Sequence, residues 1–97
     1  EDRRAHPSEK SYTSTLLAGG VPKIGAKIDE EAREVVEAAS EPGDAGRSHF
    51  VYECAELAYH LLVLMAHRDV RLDEVEAALA RGVGISGLEE KASRTPE

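Results

Sequence analysis

The chain has 97 residues, enough for one compact domain, and a chain this short buries only about 60–65% of its unfolded surface. Its formal net charge of −7 opposes non-specific attraction to nucleic acid or to an anionic membrane, so if the ligand is a polyphosphate something other than net charge holds it, a divalent cation being the obvious candidate. One Phe and three Tyr leave the core to Leu, Val, Ile and Ala, and the abundance of Ala, Glu and Leu favours helices over sheets.

The first ten residues, EDRRAHPSEK, are polar and carry Pro7, which reads as an extended arm or the remnant of a helix. SYTSTLLA, residues 11–18, has the makings of a short helix capped by Ser11 or Thr13 and broken by Gly19 and Gly20. Pro22 suits the first position of a new helix, where its missing N–H costs nothing. That helix is expected to run to about Ser40 despite Gly25, whose cost is about 1 kcal/mol. SEPGDAG, residues 40–46, reads as a loop, and a third helix follows from about Arg47 to His67. RDVR is a short connection, LDEVEAALA (72–80) a fourth helix ended by Gly82, and residues 83–97 an irregular tail. The expected architecture is all-α: a single domain over 1–97, built on an antiparallel helical hairpin with short flanking helices. The longest apolar run, LAYHLLVLMA (57–66), is too short to span a bilayer, and the chain shows no signal-peptide pattern. Cys54 has no cysteine partner in the chain and fits a reducing, cytoplasmic setting as a small apolar side chain.

On a helical wheel, Ile24, Ile28, Ala32, Val35, Val36 and Ala39 form one apolar stripe of the second helix. Glu30 and Glu37 fall clear of it. Glu31 projects into it, Glu34 lies at its edge, and Lys27 projects between these two, with Lys23 nearby. The third helix is apolar over most of its circumference, with one narrow polar stripe of Glu53, Glu56, His60 and His67. Each helix of the hairpin thus carries a Glu-x-x-Glu pair. If the apolar stripes meet, the four carboxylates converge, and like charges brought together either raise their pKa values or take up a cation. Oxygen-only ligands select a hard ion, Mg²⁺ or Mn²⁺. The pattern is equally that of two solvated faces, with Lys27 merely pairing with Glu31. One neighbour does not cover a helix apolar nearly all round, so a homodimer with a four-helix core is expected from packing.

SYTSTLLAGGVPKIGAKIDEEAREVVEAA and YECAELAYHLLVLMA resemble the phosphoribosyl-ATP pyrophosphohydrolases of histidine biosynthesis, within the all-α nucleotide pyrophosphohydrolases of the MazG type. SGLEEKASR is similar to that family's C-terminal segment. The wider group's signature is Glu-Glu-x-x-Glu on one helix and Glu-x-x-Asp on the next. Its first half stands here as Glu30, Glu31 and Glu34, and its second as Glu53 and Glu56, with Glu in place of the usual Asp. The resemblance implies Mg²⁺-dependent hydrolysis of the α–β phosphate bond of phosphoribosyl-ATP, the second step of histidine biosynthesis. It implies Glu31, Glu34, Glu53 and Glu56 as metal ligands and Glu30 as an accessory carboxylate that orients water or holds a second metal. It implies Lys27 and Lys23 as phosphate contacts, and Ser11, Tyr12 and Thr13 as substrate contacts. Two readings stand beside it: a housekeeping nucleoside triphosphate pyrophosphohydrolase, and a non-catalytic helical dimerisation domain whose carboxylates are structural.

Overall fold

The computed structural model describes residues 7–82, and all regular structure among them is helical. Helix α1 spans Pro7–Ala39, α2 Gly43–His67 and α3 Leu72–Ala80. The expectations for residues 1–6 and for the tail at 83–97 lie outside the described residues. No helix among these is long and apolar enough to cross a membrane.

The break expected at the glycine pair is a kink inside α1. Gly20 adopts φ 70° and ψ −163°, a conformation essentially reserved for glycine. Pro22 then starts the second arm of α1. The kink turns the chain back on itself. Tyr12 meets His60, and a Cβ placed on Gly20 would lie 3.9 Å from the His67 ring, so the first arm runs alongside α2 in the same direction. It is longer than residues 11–18, because Pro7 opens it.

The second arm of α1 and α2 form the expected antiparallel hairpin, but the connection is tighter than the sequence suggests. Only Ser40, Glu41 and Pro42 separate the helices, and α2 begins at Gly43 rather than near Arg47. Gly46 permits this: it is buried, and a Cβ there would stand 2.3 Å from the Glu41 carbonyl oxygen.

The two helices meet along seams with spacings of four and three. On α1 the seam is Ile24, Ile28, Glu31, Val35 and Ala38; on α2 it is Gly46, Phe50, Glu53, Leu57, His60 and Leu64, all buried or half-buried. Leu16, Ile24 and Val63 form the buried apolar cluster, with Ile28, Tyr59 and Leu64 packed against it. The orientation of α2 therefore differs from the expectation that its apolar side faces α1. Glu53 and His60, members of its polar stripe, are the buried ones, while Val51, Tyr52, Leu61 and Leu62 are exposed within the single chain. The reason is geometric: the face of Glu53 and His60 also carries Gly46, Phe50, Leu57 and Leu64 at spacings of four and three, so it packs against α1 and takes the two polar residues in with it. Likewise Val36, Ala32 and Ala39, assigned to the α1 stripe, are exposed.

Candidate active site

Glu31 and Glu53 occupy core positions of the facing seams and are 6% and 7% exposed. Glu34, one turn beyond Glu31, is half-buried, as is Glu56, one turn beyond Glu53. Carboxylate oxygens of Glu31, Glu34 and Glu53 all lie within 4.8 Å of one another, and so do ligand atoms of Glu31, Glu56 and His60. The hairpin thus brings together all four carboxylates of the two Glu-x-x-Glu pairs.

The electrostatics of this cluster are unfavourable as it stands. The Glu31 carboxyl is pushed from 4.5 up to about 7, first by burial, then by Glu53 beside it and the charges of Glu34 and Glu56. Glu34 is also raised, by loss of water and by Glu53. One oxygen each of Glu31 and Glu53, Oε1 in both, is buried without a hydrogen-bond partner. A buried unsatisfied acceptor costs about 1–3 kcal/mol, more when charged. Two such oxygens with a third carboxylate in reach, and no nitrogen among them, fit a hard divalent cation. Mg²⁺–oxygen distances of about 2.1 Å place neighbouring ligands roughly 3–4 Å apart, within the reach of this cluster. The second group fits less well, because its histidine nitrogen is already engaged.

That engagement is legible atom by atom. His60 is 1% exposed. Its Nδ1 lies 2.9 Å from the Glu56 carbonyl oxygen, which only accepts, so Nδ1 carries the hydrogen and the ring donates there. Nε2 is then an acceptor, and the Tyr12 hydroxyl, at 2.8 Å, donates to it. Burial, foremost, raises the Tyr12 pKa and keeps that donor protonated. Thr13 Oγ1, on the same arm as Tyr12, pairs with the Tyr59 hydroxyl of α2. Two members of the SYT segment are therefore bound to α2 beside the carboxylates, and Ser11 is exposed, its carbonyl accepting from Thr15.

Lys27 does not reach between Glu31 and Glu34. Its ammonium donates to Glu30 at 3.3 Å, and that hydrogen bond is the main cause of its raised pKa. Glu30 is exposed and belongs to neither carboxylate group. Lys23, one turn earlier, is exposed too, so the two lysines share a wet face bordering the cluster.

Sequence reasoning missed His49 and Glu41. His49 Nε2 lies 3.0 Å from Glu53 Oε2, and its Nδ1 lies 2.9 Å from Glu41 Oε1. Carboxylates only accept, so both ring nitrogens donate; the bond to Glu41 is the largest influence raising the His49 pKa. The His49–Glu53 spacing of four was a readable signal. Tyr52, at the open side, has its pKa raised chiefly by the charge of Glu56.

The family model described as phosphoribosyl-ATP pyrophosphohydrolase matches residues 1–82. A phosphoribosyl-ATP pyrophosphatase of Rhodopirellula baltica is 58% identical over 95% of this chain and 77% of its own length. One from Geotalea daltonii is 45% identical over 96% of this chain and 85% of its own. One from Neisseria meningitidis serogroup B is 46% identical over 96% and 83%. No solved structure matches the chain.

Proposed function

The chain belongs to the phosphoribosyl-ATP pyrophosphohydrolase family of histidine biosynthesis, and on that premise we propose how its carboxylate cradle hydrolyses phosphoribosyl-ATP. In this reading Glu31, Glu34 and Glu53 hold Mg²⁺, with Mn²⁺ as a substitute, and Glu56 completes the shell directly or through water. The observation that carries it is the pair of orphaned buried oxygens on Glu31 and Glu53, which face the same space from two helices. When bound, Mg²⁺ neutralises triphosphate charge and weakens the bridge between the α and β phosphates. Water attacks the α phosphorus, the bond to the bridging oxygen breaks, and phosphoribosyl-AMP, pyrophosphate and a proton leave. Lys27, held by Glu30, meets the departing pyrophosphate, and Lys23 extends that positive face. Glu30 is the accessory carboxylate that orients the attacking water. Tyr12 and Thr13, tied to α2, set the wall against which the substrate lies, and Ser11 offers it an exposed hydroxyl. The longer Glu56, where the family usually has Asp, would reach a bound Mg²⁺ directly or through water.

Two further parts of the reading concern assembly and place. The exposed apolar residues Val36, Val51, Tyr52, Leu61 and Leu62 support a homodimer in which a second copy covers α2 and makes a four-helix core. The single cysteine, Cys54, fits the reducing cytoplasm, and in this reading the chain of 97 residues is one domain. With Mg²⁺, the protein is expected to release pyrophosphate from phosphoribosyl-ATP, and Glu31→Gln or Glu53→Gln to abolish release. Wild-type turnover by both variants sinks the ligand assignment. Sedimentation as a monomer at micromolar concentration contradicts the dimer.

A further inference from the structure

Glu53 is a core carboxylate on a helix that has no other charged residue in its buried seam. A glutamate side chain has three rotatable bonds, and nothing in an apolar seam selects one rotamer of it. Here one oxygen, Oε2, is fixed by His49 Nε2 at 3.0 Å, which leaves the other, Oε1, turned inward without a partner. His49 is itself fixed at its far nitrogen by Glu41, at 2.9 Å. Glu41 belongs to the three-residue turn between α1 and α2, and its backbone is pressed against α2 at Gly46. So a chain of contacts runs from the turn, through Glu41 and His49, to the buried carboxylate. Among the described residues, His49 supplies the nitrogen donor that holds Glu53.

We propose that His49 is a positioning residue, held by Glu41, that fixes Glu53 in the rotamer which presents Oε1 to Glu31 and Glu34. This rests on the reading of those three carboxylates as the metal cradle. Ligand carboxylates oriented by an outer hydrogen bond bind metal about 10–100-fold more tightly than those left free. The effect of His49 is on how well the cradle is formed before the cation arrives, so it acts on metal affinity and leaves the saturated reaction nearly unchanged. Glu41 acts only through His49.

The test is the Mn²⁺ affinity of the full chain, measured by electron paramagnetic resonance of free Mn²⁺ with no substrate present. His49→Ala is expected to weaken Mn²⁺ about 10–100-fold. His49→Gln, whose amide still donates to Glu53, is expected to recover a large part of that loss. Glu41→Gln is expected to weaken binding less, and to have no further effect when added to His49→Ala, because its influence passes through the imidazole. At saturating Mn²⁺, His49→Ala is expected to retain kcat within about threefold. Wild-type Mn²⁺ affinity in His49→Ala, with affinity lost in Glu53→Gln, overturns the proposal while the cradle stands. Undiminished affinity in Glu53→Gln overturns the cradle itself. Additive losses in the His49→Ala, Glu41→Gln double variant overturn the chain of contacts. If His49→Ala does not fold, wild-type affinity in Glu41→Gln and His49→Asn together overturns the proposal.

Discussion

Replacing Glu31 by Gln separates the electrostatic state of the cradle from its use. The variant keeps the shape of a seam residue that is 6% exposed and removes its charge. In the folded protein the Glu31 carboxyl titrates near 7 rather than 4.5, so folding favours its protonated form. The contribution of this group to stability is therefore complete below about pH 4.5 and is lost as pH rises to about 7. At full burial the loss is about 3 kcal/mol. Water reaches the half-buried Glu34 and Glu56, and screening reduces it to about 1–2 kcal/mol. With a chelator present at about pH 8, Glu31→Gln is thus expected to be more stable than wild type by about 1–2 kcal/mol, or roughly 4–16 °C in Tm for a domain of this size. Below about pH 4 the two are expected to agree within about 0.5 kcal/mol, because the Glu31 side chain is then neutral in the folded and the unfolded chain alike. Adding Mg²⁺ at about pH 8 is expected to raise the wild-type Tm and leave the variant where it was. The assay is thermal melting at fixed protein concentration, across pH, with and without Mg²⁺. A variant less stable than wild type at pH 8 in chelator would falsify the reasoning, since it would mean that the Glu31 charge is favourable in the empty site.

Three other outcomes follow from single contacts. Tyr12→Phe removes the donor to the buried His60 Nε2 and is expected to cost about 1–3 kcal/mol by urea denaturation; an unchanged midpoint contradicts the tautomer assigned to His60. Gly20→Ala forces a Cβ into a backbone conformation near φ 70°, ψ −163°, at a cost of about 1–3 kcal/mol, and a neutral result in the same assay argues against the kink. Lys27→Ala loses only an exposed ion pair with Glu30, so Tm is expected to move by less than about 2 °C while kcat/KM for phosphoribosyl-ATP falls about tenfold or more; equal kcat/KM removes Lys27 from the phosphate contacts.

The α1 half of the site was legible in the sequence because its signal is a contradiction. Glu31 interrupts an apolar stripe at a core position, and Ile24 and Val35 on either side fix which way that stripe faces. Gly20 was legible for a related reason, since a Gly-Gly pair followed by Pro at a helix start admits few other conformations. The α2 half was harder. Periodicity says which residues share a face, but not which face turns inward when three of them are apolar. The stripe of Glu53 and His60 therefore looked like the wet side, although Gly46, Phe50, Glu53, Leu57, His60 and Leu64 already carried the spacing of a packed seam. Glu41 and His49 were hidden by the length assigned to the turn. A loop over 40–46 leaves His49 in the first turn of its helix with nothing beside it, whereas starting α2 at Gly43 brings Glu41 over the same face. Lys27 shows the limit of a wheel: positions 30 and 31 both lie within its reach, and only the folded geometry chose Glu30.

The turn of Ser40, Glu41 and Pro42, clamped at Gly46, also acts as a phase-setter for α2. One residue inserted between Gly46 and Glu53 rotates everything beyond it by about 100°. Tyr52 would then stand where Glu53 does, and an aromatic ring would face Glu31. A residue added in the connection between α2 and α3, after His67, leaves both carboxylate pairs in register. The chain is thus indifferent to its length at one end of α2 and intolerant of a single-residue change at the other. Insertion scanning along 43–71 is expected to show that asymmetry as a step in activity, with its edge past Leu64, the last residue of the α2 seam.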